Sequence, residues 1–217
     1  MLSMTTDDRD GMSRQQRVGA ASRRETRTRL LAAAGEEFAR HGYRATTVSG
    51  IARAAGVSLQ TLYLAWGSKR ALLRAHMERV LVGGAGSPED AVHRFAGMSP
   101  EARLNELAIA VSEVAARAAT GWALYREAAA VDPEMAADWD HLQLLRHRLF
   151  GKILSDIPDE ALRHGLTRSA AVDSAWVIAS PDSYDLLVRR LQYTPEAFQE
   201  WMRQTLLSAL LKSTAEP

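Results

Sequence analysis

Polar side chains that can hydrogen-bond to phosphates or base edges are concentrated in one short stretch of the sequence. They are Arg44, Thr47, Ser58, Gln60, Thr61, Tyr63, Ser68 and Lys69. Cations and hydroxyl groups bind phosphate oxygens, and a glutamine side chain matches the N6 and N7 edge of adenine. The chain has no Gly-rich phosphate loop, nucleophile elbow or HExxH motif. The stretch therefore predicts binding, and the protein is not predicted to be an enzyme.

This stretch must be positioned by two very short helices. Thr47 and Ser58 are capping residues in front of segments predicted to be helical over 48–55 and 59–65. Gly56 lies between them, where the turn needs backbone freedom. Helices this short are marginal alone and must pack on each other. Two of them joined by a three- or four-residue turn with glycine form a helix-turn-helix.

The whole sequence predicts an all-α protein. It has 217 residues, enough for one or two domains, and it has no cysteine. No segment shows sustained alternation of β-branched and polar residues. Each of six internal prolines precedes an acid, and five of them follow Ser, Thr or Asp, which is the pattern of a helix start. The segments are SPED, SPEA, DPEM, IPDE, SPDS and TPEA, which start at residues 87, 99, 132, 157, 180 and 194.

Three segments follow from these patterns. Residues 1–22 are polar without periodicity and are predicted to be a disordered basic extension. Residues 23–67 contain a longer helix that ends before Gly42 and the two short helices, and they are predicted to form the helix-turn-helix domain. Residues 68–217, which begin with a helix capped by Ser68, are predicted to form a larger helical domain.

Charge is distributed unevenly along the chain. Residues 1–75 hold 13 lysines and arginines against 6 acids, a net charge of +7, and residues 76–217 hold 14 against 20, a net charge of −6. A basic end favours a polyanionic partner. No run of 18 apolar residues and no apolar N-terminal core occurs. Neither a membrane span nor a secretory signal is therefore predicted, and the protein is expected in the cytoplasm.

The segment from Leu30 to Leu73 resembles the N-terminal domain of TetR-family transcriptional regulators. The matching features are Phe38, Gly42-Tyr43, Thr46-Thr47-Val48, Ile51-Ala52, Ala55-Gly56-Val57-Ser58, Thr61-Leu62-Tyr63, Ser68-Lys69 and Leu72-Leu73. The resemblance implies a regulator, most often a repressor, that binds a palindromic operator in double-stranded DNA as a homodimer. Its third helix would enter the major groove, where base edges are distinguishable. The implied DNA-binding residues are the polar residues named above, with Gln60 and Thr61 facing bases.

The sequence departs from the family pattern at several positions. Gly35 and Glu37 replace large apolar residues, and Trp66 replaces phenylalanine. Leu59-Gln60 stands where Lys-Gly is common, and Arg70 replaces an acid. The changes at Gly35, Glu37 and Trp66 affect packing. The changes at Leu59-Gln60 and Arg70 alter the preference for bases and the charge that faces the phosphates, so the operator of a relative cannot be assumed for this chain.

Residues 68–217 are rich in large side chains, and the family resemblance implies that they form a ligand-binding and dimerisation domain. The predicted pocket residues are Phe95, Trp122, Tyr125, Arg126, Trp139 and Trp176. Tyr125 and Arg126 are predicted to orient a small apolar or amphipathic effector in an apolar cavity. Such an effector would shift the helix that begins at Ser68 and release DNA. No cofactor or metal is predicted, since His141 and His147 do not share a helix face.

The segment 180–211 predicts two amphipathic helices that join two copies of the chain. The predicted interface residues are Tyr184, Leu187, Val188, Leu191, Phe198, Trp201, Met202, Leu206 and Leu210. Leu186, Leu207 and Leu211 add apolar surface on a second face, and exposed apolar surface of this kind marks an interface. A two-fold contact between these helices would place two reading helices on the two halves of a palindrome.

Two other classes of protein remain open. A nucleoid-type protein binds DNA without sequence preference, but it would not need a large acidic C-terminal domain. A TetR-like protein that acts only through protein contacts would not need the intact motif over 58–73.

Overall fold

The computed structural model describes residues 14–82 and 92–212. Over these residues the chain is all-α, as predicted, and forms nine α-helices. They are α1 Arg14–Ala45, α2 Val48–Ala54, α3 Leu59–Trp66, α4 Lys69–Val82, α5 Pro100–Ala129, α6 Pro133–Leu154, α7 Arg168–Ile178, α8 Pro181–Tyr184 and α9 Pro195–Leu210. A 3-10 turn at Asp159–Ala161 follows α6, and a π-helical turn at Asp185–Arg190 continues α8.

Most proline–acid segments start a helix, as the sequence predicts. Ser99, Asp132, Ser180 and Thr194 each cap a helix that begins with proline, and their side-chain oxygens accept backbone N–H groups of the first turn. These bonds satisfy donors that a helix start leaves open. The IPDE segment forms only the 3-10 turn, whose cap position is Pro158, a residue with no side-chain oxygen. The SPED segment lies outside the described residues.

Helix α1 is longer than the sequence predicts. It begins at Arg14, so residues 14–22 are helical where disorder is predicted, and residues 1–13 lie outside the described part of the chain. Arginine, glutamine and alanine are good helix formers, and extending an existing helix needs no new nucleus. Gly42 has a φ of 73° and kinks the helix near its end, in the left-handed conformation that glycine favours.

The chain divides into two compact units, Met1–His76 and Met77–Pro217. The division falls within α4, later in the chain than the predicted domain boundary after residue 67. The first unit has its own core, in which Leu30, Phe38 and Ile51 have no exposed surface. The helix-turn-helix segment is thus part of a unit with a hydrophobic core of its own.

Helix α5 is the central helix of the second unit. It packs against α6, α8 and α9, and Leu104, Leu107 and Ala108 on it are buried. Gly121 allows a close approach to α4, because a Cβ there would lie 2.7 Å from the sulfur of Met77. By length and composition α5 is apolar enough to cross a membrane, and 44% of its apolar window is buried inside the protein. Its buried residues Leu104, Leu107 and Ala108 belong to the hydrophobic core of the second unit.

Arginine side chains bind the C-terminal end of α6. Arg103, which is buried, donates to the carbonyl of Ile153 at 2.9 Å and to the carboxylate of Asp156 at 3.1 Å. Arg168 donates to the carbonyl of Leu154 at 2.8 Å. The last carbonyls of a helix have no partner inside that helix and carry the negative end of its dipole, so a cation is stabilising there.

The end of α7 is bound in the same way by Arg146. Its guanidinium donates to the carbonyl of Ala179 at 3.0 Å and to that of Trp176 at 3.4 Å. Burial lowers the pKa of Arg146 to about 10, although the nearby Asp182 carboxylate opposes this shift. The side chain therefore stays charged at neutral pH and keeps these bonds.

Replacement of Arg103 with methionine should destabilise the protein, because it leaves the carbonyl of Ile153 buried without its donor. We expect a loss of about 1–3 kcal/mol in the free energy of unfolding, measured by urea denaturation with circular dichroism. Arg148→Met on the exposed side of α6 is the matched control and should stay within about 0.5 kcal/mol of the parent. Equal effects of the two substitutions would show that Arg103 does not stabilise the end of α6.

Candidate nucleic-acid interface

Two caps and a glycine turn shape the helix-turn-helix. Thr47 Oγ1 accepts a hydrogen bond from the amide of Gly50 at 3.0 Å, and Ser58 Oγ accepts one from the amide of Thr61 at 3.1 Å. Gly56 has a φ of 65°, a conformation that glycine adopts without strain. The caps and the turn lie where the sequence predicts them, and each short helix ends within one residue of its predicted end.

Helix α3 turns one face to the core and the other to solvent. Leu62 has no exposed surface, and the exposed side chains are Leu59, Gln60, Tyr63 and Leu64. At 3.6 residues per turn, these four positions span an arc of about 140° on one side of the helix. This exposed face of α3 combines an amide, a phenol that is 49% exposed and two leucines.

An arginine and an indole ring hold the end of α3. The Arg27 guanidinium lies 3.8 Å from the ring centre of Trp66 and donates to the carbonyl of Ala65. In return, the indole N–H of Trp66 donates to the carbonyl of Arg27 at 3.2 Å. Tryptophan offers this donor and a large face for the cation, whereas the usual phenylalanine has no N–H. The pair ties α3 to α1 and fixes the orientation of the exposed face.

The sequence predicts a phosphate contact for Lys69, but the structure gives its amino group protein partners. Lys69 Nζ donates to the carbonyl of Tyr43 at 2.8 Å and to that of Thr46 at 3.0 Å. It also lies 4.1 Å from the ring centre of Tyr43. These carbonyls stand at the end of α1, where unpaired acceptors attract a cation. The position of Lys69 is therefore explained within the fold, without a phosphate.

The other predicted DNA-binding residues differ in exposure. The half-buried Thr61 pairs its hydroxyl with that of Ser58 at 2.8 Å, so it is not one of the exposed residues of α3. Ser68 is half-buried and caps α4 through a 3.1 Å bond from the first turn. The predicted residues with exposed side chains are Arg44, Thr47, Ser58, Gln60 and Tyr63.

The exposed residues of the helix-turn-helix that sequence reasoning missed include Ser49, Arg53 and Leu64. Ser49 and Arg53 stand one turn apart on α2, so they share a face that offers a hydroxyl and a cation. The same helical period places Leu64 one turn after Gln60, away from the buried side of α3. Helical spacing in the sequence is the signal that would have identified all three.

Two departures from the family pattern in α1 have local causes. A Cβ at Gly35 would lie 2.7 Å from an imidazole carbon of His76, so the glycine makes room for this ring. Glu37 is half-buried and pairs with Arg40 at 2.8 Å. Both changes are therefore accommodated within the first unit.

Most of the residues predicted to line a ligand pocket are core residues. Phe95, Trp122 and Tyr125 are buried, and Trp122 meets Trp139 edge-on with ring centres 5.5 Å apart. Trp176 is half-buried and packs edge-on against His147, with ring centres 5.6 Å apart. These rings pack against neighbouring side chains of the second unit, and their role in binding a ligand stays a prediction.

Arg126 does line a cavity, but a very small one. Its guanidinium pairs with Asp182 and lies 3.7 Å from Asp185. Trp122 and Tyr184 contribute to the same cavity, whose volume is about 10 Å³. That volume is near the minimum for one water molecule and far below the roughly 300 Å³ of a ligand pocket.

The predicted dimer residues fall into two groups. Phe198, Met202, Leu206 and Leu210 have no exposed surface, so they are core residues and their assignment to an interface is wrong. Tyr184, Leu187, Val188 and Trp201 are half-buried. Leu191 is 64% exposed, and the neighbouring Leu186 is 52% exposed. The apolar face of α9 thus covers its own unit, and the exposed Leu186 and Leu191 lie in and next to the π-helical turn.

Comparison with known proteins agrees with this geometry. The family model described as bacterial regulatory proteins, tetR family, matches residues 30–76. Among solved structures, NalD, the secondary repressor of the MexAB-OprM multidrug efflux pump in Pseudomonas aeruginosa, is 20% identical with a TM-score of 0.69, covering 88% of this chain and 98% of NalD. A complex of SmeT with triclosan is 19% identical with a TM-score of 0.68, covering 89% of this chain and 95% of SmeT.

A third similar structure is the transcriptional regulator FadR from Bacillus subtilis in complex with stearoyl-CoA. It is 19% identical with a TM-score of 0.63, covering 84% of this chain and 98% of FadR. Comparison with curated proteins finds no match. The resemblance to the TetR family is thus confirmed: residues 30–76 match the model of this family, and the chain has the same fold as these regulators.

Replacement of Lys69 with methionine should destabilise the first unit even when DNA is absent. The substitution keeps the length of the side chain but removes the donor to two carbonyls at the end of α1. We expect a loss of about 1–3 kcal/mol, measured by thermal unfolding with circular dichroism. Arg53→Met, which removes an exposed cation from α2, is the control and should unfold like the parent. If Lys69→Met also unfolds like the parent, the amino group does not hold the end of α1.

Proposed function

We propose that this TetR-like chain is a ligand-responsive transcriptional regulator, acting as a repressor, that binds a palindromic operator as a homodimer. The observation that carries the proposal is the exposed face of α3. Its amide and phenol groups face solvent on a short helix fixed by packing, which is how a reading helix is presented to the major groove. NalD is described as a repressor, and its likeness in fold supports the same role here.

Contacts with the DNA backbone would come from the basic first unit. Residues 1–75 carry a net charge of +7, and the exposed side chains of Arg44 and Arg53 belong to this region. Thr47 and Ser49 add hydroxyl groups at the start of α2. Phosphate contacts of this kind fix the register of a protein on the duplex, and Gln60 would then read a base edge.

A homodimer would form through the exposed apolar surface near the π-helical turn. Leu186 and Leu191 leave more than half of their side-chain surfaces in water, and Val177 at the end of α7 is 59% exposed. Exposed apolar surface of this kind favours association. Two copies related by a two-fold axis would carry two copies of α3, so the operator would be a palindrome.

An effector would act on the second unit, near the small cavity beside Arg126. SmeT is solved with triclosan and FadR with stearoyl-CoA, which supports an apolar or amphipathic ligand for this chain. Because the cavity holds only about 10 Å³, a ligand must bind a more open conformation than the one described. The effect of the ligand on DNA binding would pass through α4, the helix that both units share. The protein would act in the cytoplasm.

Selection of random duplexes by the full-length protein tests the proposed function. Sequencing of the retained duplexes should give one motif repeated with two-fold symmetry. Retention of duplexes without any enriched motif would instead indicate a nonspecific DNA binder. No retention at all would indicate that the chain acts through protein contacts.

Replacement of Gln60 with alanine should weaken binding in a sequence-dependent way. We expect a loss of about 1–3 kcal/mol on the selected duplex and none on a shuffled duplex, because the lost bonds are to one base. Dissociation constants from fluorescence anisotropy would show the difference. Gln199→Ala on α9 is the matched control and should change neither constant. An equal loss on both duplexes would assign Gln60 to the DNA backbone.

Replacement of Leu191 with glutamate should turn a homodimer into a monomer at micromolar concentration. The introduced carboxylate would be desolvated when the apolar surfaces of two copies meet. This desolvation costs several kcal/mol if the carboxylate has no hydrogen-bond or ion-pair partner there. Light scattering coupled to size exclusion measures the mass directly. Val131→Glu, at another exposed apolar position, should leave the dimer intact. A monomeric parent protein would contradict the proposed assembly itself.

A further inference from the structure

Leu64 is the most exposed large apolar side chain in the described part of the chain. It is 82% exposed, against 41% for Leu59 at the start of the same helix. Leu62 on the opposite side of α3 already supplies the contact with the core, so packing within the chain does not account for Leu64. An apolar side chain so placed gains free energy only when a partner removes it from water.

The position of Leu64 indicates what kind of partner this is. It stands four residues after Gln60, so the two side chains lie on one ridge of α3, about 6 Å apart along the axis. Successive base pairs are about 3.4 Å apart, so a helix lying along the groove would bring Leu64 within about two base pairs of the base that Gln60 contacts. The thymine 5-methyl is the apolar group that B-DNA presents at the edges of its bases in the major groove.

We propose that Leu64 reads the 5-methyl group of a thymine in each half-site, close to the base that Gln60 contacts. This inference rests on the proposed operator binding and adds a second specificity determinant to it. Gln60 selects by hydrogen bonds, and Leu64 selects by burial of a methyl group. The basic charge of residues 1–75 favours DNA over a protein as the occupant of this face, since a protein partner would have to match an unusually basic unit.

Uracil substitution tests the inference, because deoxyuridine differs from thymidine only in lacking the methyl group. In the duplex that the full-length protein selects, each thymine is replaced in turn by deoxyuridine, symmetrically in both half-sites. Dissociation constants are then measured for the parent protein and for Leu64→Ala. We expect one position at which uracil raises the dissociation constant of the parent protein about fourfold for each methyl group removed. Leu64→Ala should bind more weakly and should not respond to uracil at that position.

Two matched variants sharpen this comparison. Leu144→Ala removes an exposed leucine from the second unit and should keep the full response to uracil. Gln60→Ala should lose its adenine preference but keep the response to uracil, because hydrogen bonding and methyl burial are separate contacts. Since Leu64 is so exposed, Leu64→Ala should fold normally, and circular dichroism would verify this.

Three results would overturn the inference about Leu64 alone. If the parent binds its selected duplex equally well with uracil at every position, operator binding remains supported but the proposed role of Leu64 is wrong. If Leu64→Ala retains the response to uracil, another side chain contacts the methyl group. If Leu64→Ala binds all duplexes like the parent, the exposed leucine serves a protein contact. If the parent protein selects no sequence, both the proposed operator binding and this inference are contradicted.

Discussion

The carbonyl groups that helices leave unpaired at their C-terminal ends are the constraint on which this fold depends. Cations from neighbouring helices bind them in both units. Arg27 binds the end of α3 and Lys69 the end of α1, while Arg103 and Arg146 bind the ends of α6 and α7. Each contact joins two helices and also satisfies acceptors that are costly to leave unpaired. The forked guanidinium is suited to this task, and lysine is rare in the chain, with three residues.

The consequences are clearest for α3, which has only eight residues. A helix of this length does not persist alone, so its geometry must come from its neighbours. Leu62 anchors its middle in the core, Ser58 satisfies its start and the Arg27–Trp66 pair holds its end. Because these contacts fix the helix, the side chains of Gln60 and its exposed neighbours are presented to solvent in a preformed arrangement. Such preorganisation would lower the entropy cost of the proposed binding to DNA.

The sequence predicted local features well because their causes are local. Caps such as Ser58, the positive φ of Gly56 and the all-α class depend on residue type and spacing alone. Contacts between distant residues were not predictable in this way. Lys69 binds carbonyls 26 and 23 residues earlier, and its helix-start position suggested a phosphate instead. Periodicity likewise identifies the apolar face of α9 but not which surface it covers, so it predicts a partner contact for Phe198, which lies in the core.

The central claim is that the exposed face of α3 reads base sequence in double-stranded DNA. The most direct test is the ratio of two dissociation constants for the full-length protein at physiological salt. One duplex carries the selected sequence, and the other has the same base composition in shuffled order. We predict that the selected duplex binds at least about a thousandfold more tightly than the shuffled one. A ratio near one, with both affinities falling steeply as salt rises, would mean that the chain senses only phosphate charge and would contradict the account.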